Sequence, residues 1–152
     1  MSTHRKMTPS SGEAWVGYCL KITQHRLRQR LEAELAQVGV SASQNAVLLA
    51  IGSNPRISNA ALARAAFMTP QSMQGMLVSL ERDGFIVRTP HPEHGRIIMT
   101  ELTRQGRSAA QAGMVAAEAV ERQMLSGLTT HEADLLRSLL QRCAQALEEP
   151  GA

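Results

Sequence analysis

Aromatic residues are scarce in this 152-residue chain, where one Trp, one Tyr and two Phe make up 3% of the sequence. The core must therefore be built from aliphatic residues and Met. The same scarcity argues against a surface that stacks nucleobases or sugars on aromatic rings. The length fits one domain or two very small ones, and a hydrophobic content of 43% is typical of a globular protein.

Cysteine and long apolar runs are also scarce. Two cysteines, Cys19 and Cys143, make no disulfide framework, which predicts a reducing, cytoplasmic location. The longest apolar run, residues 46–52, is far shorter than the roughly 18–20 residues that span a bilayer. The N-terminal residues carry charge without an apolar segment behind them, so the sequence predicts neither a signal peptide nor a membrane partner.

Lysine and aspartate occur only twice each, whereas fourteen of the sixteen basic residues are arginine and the net charge is +3. The planar donor fork of Arg suits phosphates and base edges, which points to a nucleic-acid partner. A high-GC genome would produce the same bias, so composition alone leaves both explanations open.

Signatures of catalysis and of cofactor binding are missing. The sequence contains no Ser-His-Asp ordering, phosphate-binding loop or paired-carboxylate motif, which argues against an enzyme. Its five histidines are scattered, with His91 and His94 as the one closely spaced pair. We therefore expect neither a metal site nor another cofactor.

Capping residues and apolar periodicity predict a mainly α fold with one small β-hairpin. A candidate capping box at residues 10–13 precedes a long helix over about 14–38. Later helices are expected over about 42–52, 60–66, 70–83, 104–125 and 130–147. Their predicted N-caps are Ser41, Ser58, Thr69, Thr103 and Thr129. Between them, strands 85–89 and 96–102 are expected to flank a turn of five or six residues.

A helix pair followed by a hairpin is the winged helix-turn-helix arrangement, which places its second helix in the major groove of DNA. Helix 70–83 is predicted to bury Met73, Leu77 and Leu80 and to expose an opposite face without an acid before Glu81. A solvated face usually carries acids, so this absence favours DNA over the alternative of a merely solvated helix. The residues predicted to read bases are Gln71, Gln74 and Val78. The residues predicted to contact phosphates are Ser72, Arg82 and Arg88. Arg96 is predicted to enter the minor groove. Thr69 and His94 complete the predicted DNA-binding set.

Several motifs resemble the MarR family of bacterial winged helix-turn-helix transcription regulators. The matching stretches are Leu62-Ala63, Thr69-Pro-Gln-Ser-Met73, Leu80-Glu-Arg-Asp-Gly-Phe-Ile-Val-Arg88, Gly95-Arg96 and Leu102-Thr-Arg-Gln-Gly106. The resemblance implies a homodimer that binds a pseudo-palindromic double-stranded operator, as a repressor released by a small-molecule effector. The sequence itself predicts a flexible tail over 1–10, and the resemblance implies dimerisation helices over 11–38 and 103–149 and a winged DNA-binding domain over 40–102.

One position departs from the family pattern. Such proteins usually carry Asp two residues before the wing arginine, where it braces that arginine by a salt bridge, but here the position is His94. Either Glu93 takes over the bracing, or the wing is looser and responds to pH through His94. A neutral substitution in a flexible tip is the simpler interpretation.

The resemblance also raises the question of what the protein senses. A ligand crevice beside the dimerisation helices would have an apolar lining with a few polar groups. Its predicted lining residues are Trp15, Tyr18, Ile22, His25, Leu48 and Met114. Cys19 lies where peroxide-sensing members keep a reactive cysteine, but a cysteine in an apolar stripe is more often a small core residue. The alternatives are therefore an oxidant sensor acting through Cys19, or a winged-helix module that binds protein instead of DNA.

Overall fold

The computed structural model describes residues 15–55 and 57–148, and over that part it confirms the predicted mainly α fold with one hairpin. The predicted tail over 1–10 and the capping box at 10–13 lie outside the described residues. The elements are α1 (Val16–Leu35), α2 (Ala42–Ser53), α3 (Asn59–Ala65), α4 (Pro70–Arg82), β1 (Ile86–Pro90), β2 (Ile98–Leu102), α5 (Arg104–Met124) and α6 (Thr130–Ala146).

The predicted N-caps are confirmed because each side-chain oxygen accepts a hydrogen bond from a backbone N–H in the first turn. At Ser41 the bond is reciprocal, since Gln44 Oε1 accepts from the Ser41 N–H at 2.9 Å. Thr129 and Glu132 form a second capping box, and its hydrogen bonds lower the pKa of the Glu132 carboxyl. These local bonds explain why helix starts could be predicted closely from single residues.

Two boundaries differ from the prediction. Helix α1 ends at Leu35 and not at Val38, because residues 36–39 form a turn in which Gly39 adopts φ +79°. The hairpin is shorter than expected, with Ile86 opposite Leu102 and Pro90 opposite Ile98. Seven residues, 91–97, join its strands. The His91 N–H still bonds to the Ile97 carbonyl at 2.7 Å, but the Ile97 N–H bonds to the His94 carbonyl within the loop at 2.8 Å, so the ladder ends at Pro90 and Ile98.

The main core lies among α2, α3, α4, the hairpin and the first half of α5. The predicted inner stripe of α4 is confirmed: Met73 and Leu80 are fully buried, and Leu77 is 3% exposed. The same cluster includes Leu35 from the end of α1, together with Ala109 and Ala110 from α5. The core of the winged region therefore extends into both long helices that flank it.

Small residues on one face of α5 allow this close packing. Gly106, Ala109, Ala110 and Gly113 are all buried and follow helical spacing. A Cβ at Gly106 would collide with the carbonyl oxygen of Phe85, and one at Gly113 would collide with the amide of the buried Asn45 on α2. Backbone and side chains thus occupy the space that larger residues on α5 would need.

Gly106→Ala should therefore destabilise the fold, by about 1–3 kcal/mol or more, since the colliding atom is backbone and cannot rotate away. Gly75→Ala is the matched control, because a Cβ on that helical glycine meets open space. It should stabilise by up to roughly 1 kcal/mol through helix propensity. Urea unfolding of both variants measures the two changes, and equal effects would contradict this account of α5.

Candidate nucleic-acid interface

Helix α4 begins at a turn that ends in Thr69 and presents one face to solvent. The Thr69 hydroxyl accepts the Ser72 N–H at 3.1 Å and donates to Ser72 Oγ at 2.9 Å. Pro70 occupies the first helical position, where a backbone donor would have no partner. The exposed residues of α4 include Gln71, Ser72, Gln74, Gly75, Val78 and Arg82. This is the face that the sequence predicted to point away from the core.

The charges on this face lie at its C-terminal end. Arg82 Nε donates to Asp83 Oδ1 at 3.0 Å. The hydrogen bond and the charge of Asp83 raise the pKa of Arg82, and the hydrogen bond from Arg82 lowers the pKa of Asp83. Solvent screens an ion pair this exposed, so a phosphate oxygen can replace Asp83 as the partner of Arg82.

Arg88 ties the hairpin to the end of α4. Its Nε and a terminal nitrogen both donate to Glu81 Oε2, at 2.9 and 2.7 Å, and its side chain is only 19% exposed. Arg88 was predicted as a phosphate contact, whereas in the structure its guanidinium is already held by Glu81. Nothing in the sequence pattern linked the two residues, because they lie on different elements and meet only through the turn between them.

The loop at the tip of the hairpin is held by a histidine. His91 Nδ1 accepts hydrogen bonds from the backbone N–H groups of Glu93 and His94, at 3.1 and 3.2 Å. The rings of His91 and His94 stack with centroids 5.3 Å apart. From the sequence, His91 stood out only as one of two closely spaced histidines. In this conformation its Nδ1 acts as a hydrogen-bond acceptor for the loop backbone.

Arg96 is exposed near the end of this loop. Within residues 15–55 and 57–148, neither Arg96 nor Glu93 forms an ion pair, so Glu93 does not take over the bracing of the wing arginine. The guanidinium is therefore available to a ligand, on a loop whose shape depends on backbone hydrogen bonds to His91 and Ile97.

The predicted ligand-lining residues do not converge on one cavity. Trp15, Tyr18, His25 and Met114 are exposed on α1 and α5. Ile22 borders a cavity of about 560 Å³ between these helices, whose walls also include Arg26, Arg30 and Val120. Leu48 is fully enclosed in the core, so in this conformation it cannot line an open crevice.

The expectation that Cys19 is a small core residue is wrong for the single chain, in which Cys19 is exposed. The reason is that the start of α1 is open to solvent among the described residues, as Trp15 and Val16, each 68% exposed, also show. No group of three or more metal-ligating side chains occurs in the described part of the chain. None of its helices is both long and apolar enough to cross a membrane.

Helix α6 has the clearest unpartnered apolar face. None of its residues is buried. Four leucines at positions 135, 136, 139 and 140 follow helical spacing and are between 37% and 50% exposed. An apolar stripe of this kind on a capped helix of 17 residues is typical of a helix that packs against another one.

Comparison with known proteins shows which family the chain resembles. Residues 38–97, from the end of the α1 turn to the tip of the hairpin, match the profile of the MarR family. The chain's relatives are transcriptional regulators, and one of them is the HTH-type transcriptional repressor Rv2887 of Mycobacterium tuberculosis. The two are 29% identical over 130 residues, which cover 86% of this chain and 94% of the relative.

Two solved structures that resemble this chain contain bound molecules. The Rv2887 protein in complex with salicylic acid superposes with a TM-score of 0.70 at 29% identity, over 87% of this chain and 98% of that one. The transcriptional repressor CouR bound to a 23-mer DNA duplex superposes with a TM-score of 0.78 at 27% identity, over 86% and 92% of the two chains. The chain thus has the same winged-helix fold as these two proteins.

The pairing of Glu81 with Arg88 should set how firmly the wing is attached to α4. In a double-mutant cycle with Glu81→Gln and Arg88→Gln, we expect a coupling of about 1 kcal/mol in the free energy of unfolding, because the pair is charge-assisted and only partly exposed. The parallel cycle with Arg137→Gln and Asp134→Asn on α6 is the exposed control and should give less. Equal couplings would show that the Arg88 pair is an ordinary surface contact.

Proposed function

We propose that this chain is a homodimeric MarR-family repressor that acts by binding and not by catalysis, and that it recognises a pseudo-palindromic operator. The observation that carries the proposal is the exposed face of α4, which offers amides, a hydroxyl, an apolar residue and a terminal arginine but no free carboxylate before Glu81. Such groups match the donors, acceptors and thymine methyls of the major groove.

Each predicted contact residue receives a role in this proposal. Gln71, Gln74 and Val78 read bases, and Thr69, Ser72 and Arg82 approach phosphates near the two ends of the helix. Arg96 enters the minor groove from the wing, beside His94. Arg88 acts mainly by holding the wing against α4 through Glu81, which modifies the phosphate role expected from the sequence.

The homodimer is supported by the apolar surface that the single chain leaves exposed. The stripe on α6 and the first half of α1 together expose Trp15, Tyr18, Leu20 and four leucines of α6. A second copy of the chain would cover these faces and place two α4 helices on one side of the assembly. Two-fold symmetric readers of this kind bind half-sites spaced by about one helical turn of DNA.

The effector proposed for this site is a small organic acid, as in the salicylate complex of the relative. The cavity between α1 and α5 supports this class of ligand because it combines apolar walls with Arg26 and Arg30. Arg30 is already bonded to Gln123 at 3.1 Å and paired with Glu34 at 3.0 Å, which leaves Arg26 as the better candidate for a carboxylate.

Selection of random duplex DNA by the purified protein at near-physiological salt tests the proposal directly. An enriched palindrome with half-sites about one helical turn apart would support it. Retention of protein partners from a defined binding panel without any enriched DNA would favour the protein-binding winged helix instead. Titration of salicylate into the operator complex then tests release, with Arg26→Gln as the variant that should respond less.

Arg96→Ala should weaken binding to all DNA sequences and reduce the salt dependence of binding. The slope of log K against log salt should become shallower by roughly one for each Arg96 removed, since each contributes about one neutralising charge. Arg137→Ala on α6 removes the same charge far along the chain and should leave the slope unchanged. An unaltered slope for Arg96→Ala would exclude a minor-groove role.

Gln71→Ala should instead change base preference at one position in each half-site, by about 1–3 kcal/mol, because Gln pairs with adenine through N6 and N7. Quantitative binding to single-base operator variants measures the shift. Replacing that adenine with 7-deazaadenine removes the N7 acceptor. The substitution should weaken the native protein but not Gln71→Ala, and a loss in both would mean that Gln71 does not read this base.

A further inference from the structure

Phe67 is the most exposed large apolar residue of the described chain. It lies in the turn between α3 and α4, and the residue is 99% exposed. Its backbone has φ +52°, and no other non-glycine residue in the described part has a positive φ. A bulky side chain is unfavourable in that left-handed region, where glycine is the usual occupant.

The turn itself does not need the aromatic ring. Its geometry is set by backbone hydrogen bonds, from the Phe67 N–H to Arg64 O at 3.2 Å and from the Met68 N–H to Ala63 O at 2.8 Å. The neighbours Ala66 and Met68 pack against the core, whereas the Phe67 ring lies in solvent. Glycine would make the same backbone bonds without the unfavourable φ. Packing therefore does not explain the ring.

The position of Phe67 gives it a different role. It lies two residues before the N-cap of α4, at the end of the helix that carries Gln71. In helix-turn-helix docking the N-terminus of the second helix enters the major groove while the first helix crosses the backbone. The turn between α3 and α4 therefore lies at the edge of the groove. There an exposed phenyl ring meets deoxyribose carbons and thymine methyl groups.

We propose that Phe67 is an additional DNA contact, whose ring packs against apolar groups of the operator at the groove edge. The inference rests on the proposed function, since it needs an operator. It adds an apolar contact outside the predicted set of polar and basic residues. It also accounts for the backbone conformation, because a residue held in an unfavourable region is typical of a functional position.

Phe67→Gly tests the proposal because its two expected effects have opposite signs. Removal of the unfavourable φ should raise the thermal midpoint, whereas loss of the ring should weaken operator binding by roughly tenfold. Phe67→Leu keeps an apolar side chain at the same φ and should lose less affinity. A residue with only a structural role would change stability and affinity in the same direction.

Operators in which deoxyuridine replaces thymine near the turn lack the thymine methyl group. They therefore show whether the Phe67 ring contacts that methyl group or the deoxyribose carbons. If the ring touches a thymine methyl, one such substitution should weaken the native protein and have little further effect on Phe67→Gly. If the ring touches only deoxyribose, no such substitution matters, while the loss in Phe67→Gly remains. Equal operator affinities of the native protein and Phe67→Gly would overturn the inference.

Two controls keep this result distinct from a failure of the proposed function. If the native protein enriches no DNA sequence, the proposed function fails and the variants are not informative about DNA. If the native protein binds its operator but Phe67→Gly changes the monomer–dimer equilibrium in light scattering, the ring belongs to a contact between chains. That outcome also overturns the assignment of Phe67 to DNA.

Discussion

The arrangement of the DNA-facing elements depends on the backbone hydrogen bonds of Phe85. Its N–H bonds to the carbonyl of Leu80 at the end of α4, at 2.9 Å. Its carbonyl accepts from the Thr103 N–H at 3.0 Å, where α5 begins, and Gly106 leaves the space for that carbonyl. The Thr103 hydroxyl donates to the neighbouring Gly84 carbonyl at 2.6 Å. Helix α4, the hairpin and α5 therefore meet in one backbone network, and none can rotate far without breaking it.

This backbone network gives a physical reason for the motif around Asp83-Gly84 and Leu102-Thr-x-x-Gly106. Gly84 adopts φ +83°, Thr103 caps α5, and Gly106 permits close approach. Helix α5 runs from this network to the cavity bordered by Ile22 and Val120. A ligand in that cavity that displaced the C-terminal half of α5 would therefore also displace its N-terminal half, which lies against the base of the hairpin. This would couple the effector to the DNA-facing elements through one helix.

Local chemistry explains how much of the fold could be predicted from sequence. Ser41, Thr69 and Thr129 bond to amides three residues away, so short segments specify where helices begin. The burial of Met73, Leu77 and Leu80 followed from helical periodicity in the same way. The hairpin loop was predicted too short, because a bond between Ile97 and His94 depends on the shape of the loop and not on residue type.

The parts of the candidate site that could not be predicted depend on contacts between elements or on backbone angles. The link between Arg88 and Glu81 forms only when the hairpin folds back onto α4. The acceptor role of His91 depends on the loop conformation, and the exposure of Phe67 depends on a left-handed turn that its residue type disfavours. Residue type alone describes Arg88 and His91 as basic residues and Phe67 as an apolar one. It does not show that Arg88 holds the hairpin against α4, that His91 accepts hydrogen bonds from the loop, or that Phe67 is exposed.

Two residues close to the start of α4, which faces DNA in our proposal, depart from the local preference of their positions. Phe67 occupies a position suited to glycine, while Gly75 occupies a helix interior suited to almost any other residue. Exchanging these preferences would stabilise the protein at both positions. A sequence keeps such residues when another requirement outweighs stability, and here both lie where a duplex would dock. The side chain of Phe67 extends into solvent just before the helix begins. The absence of a side chain at Gly75 would let the helix backbone approach the DNA closely. A DNA-binding surface explains both the bulky residue at a positive φ and the glycine inside a helix. Packing within the protein would need a separate explanation for each.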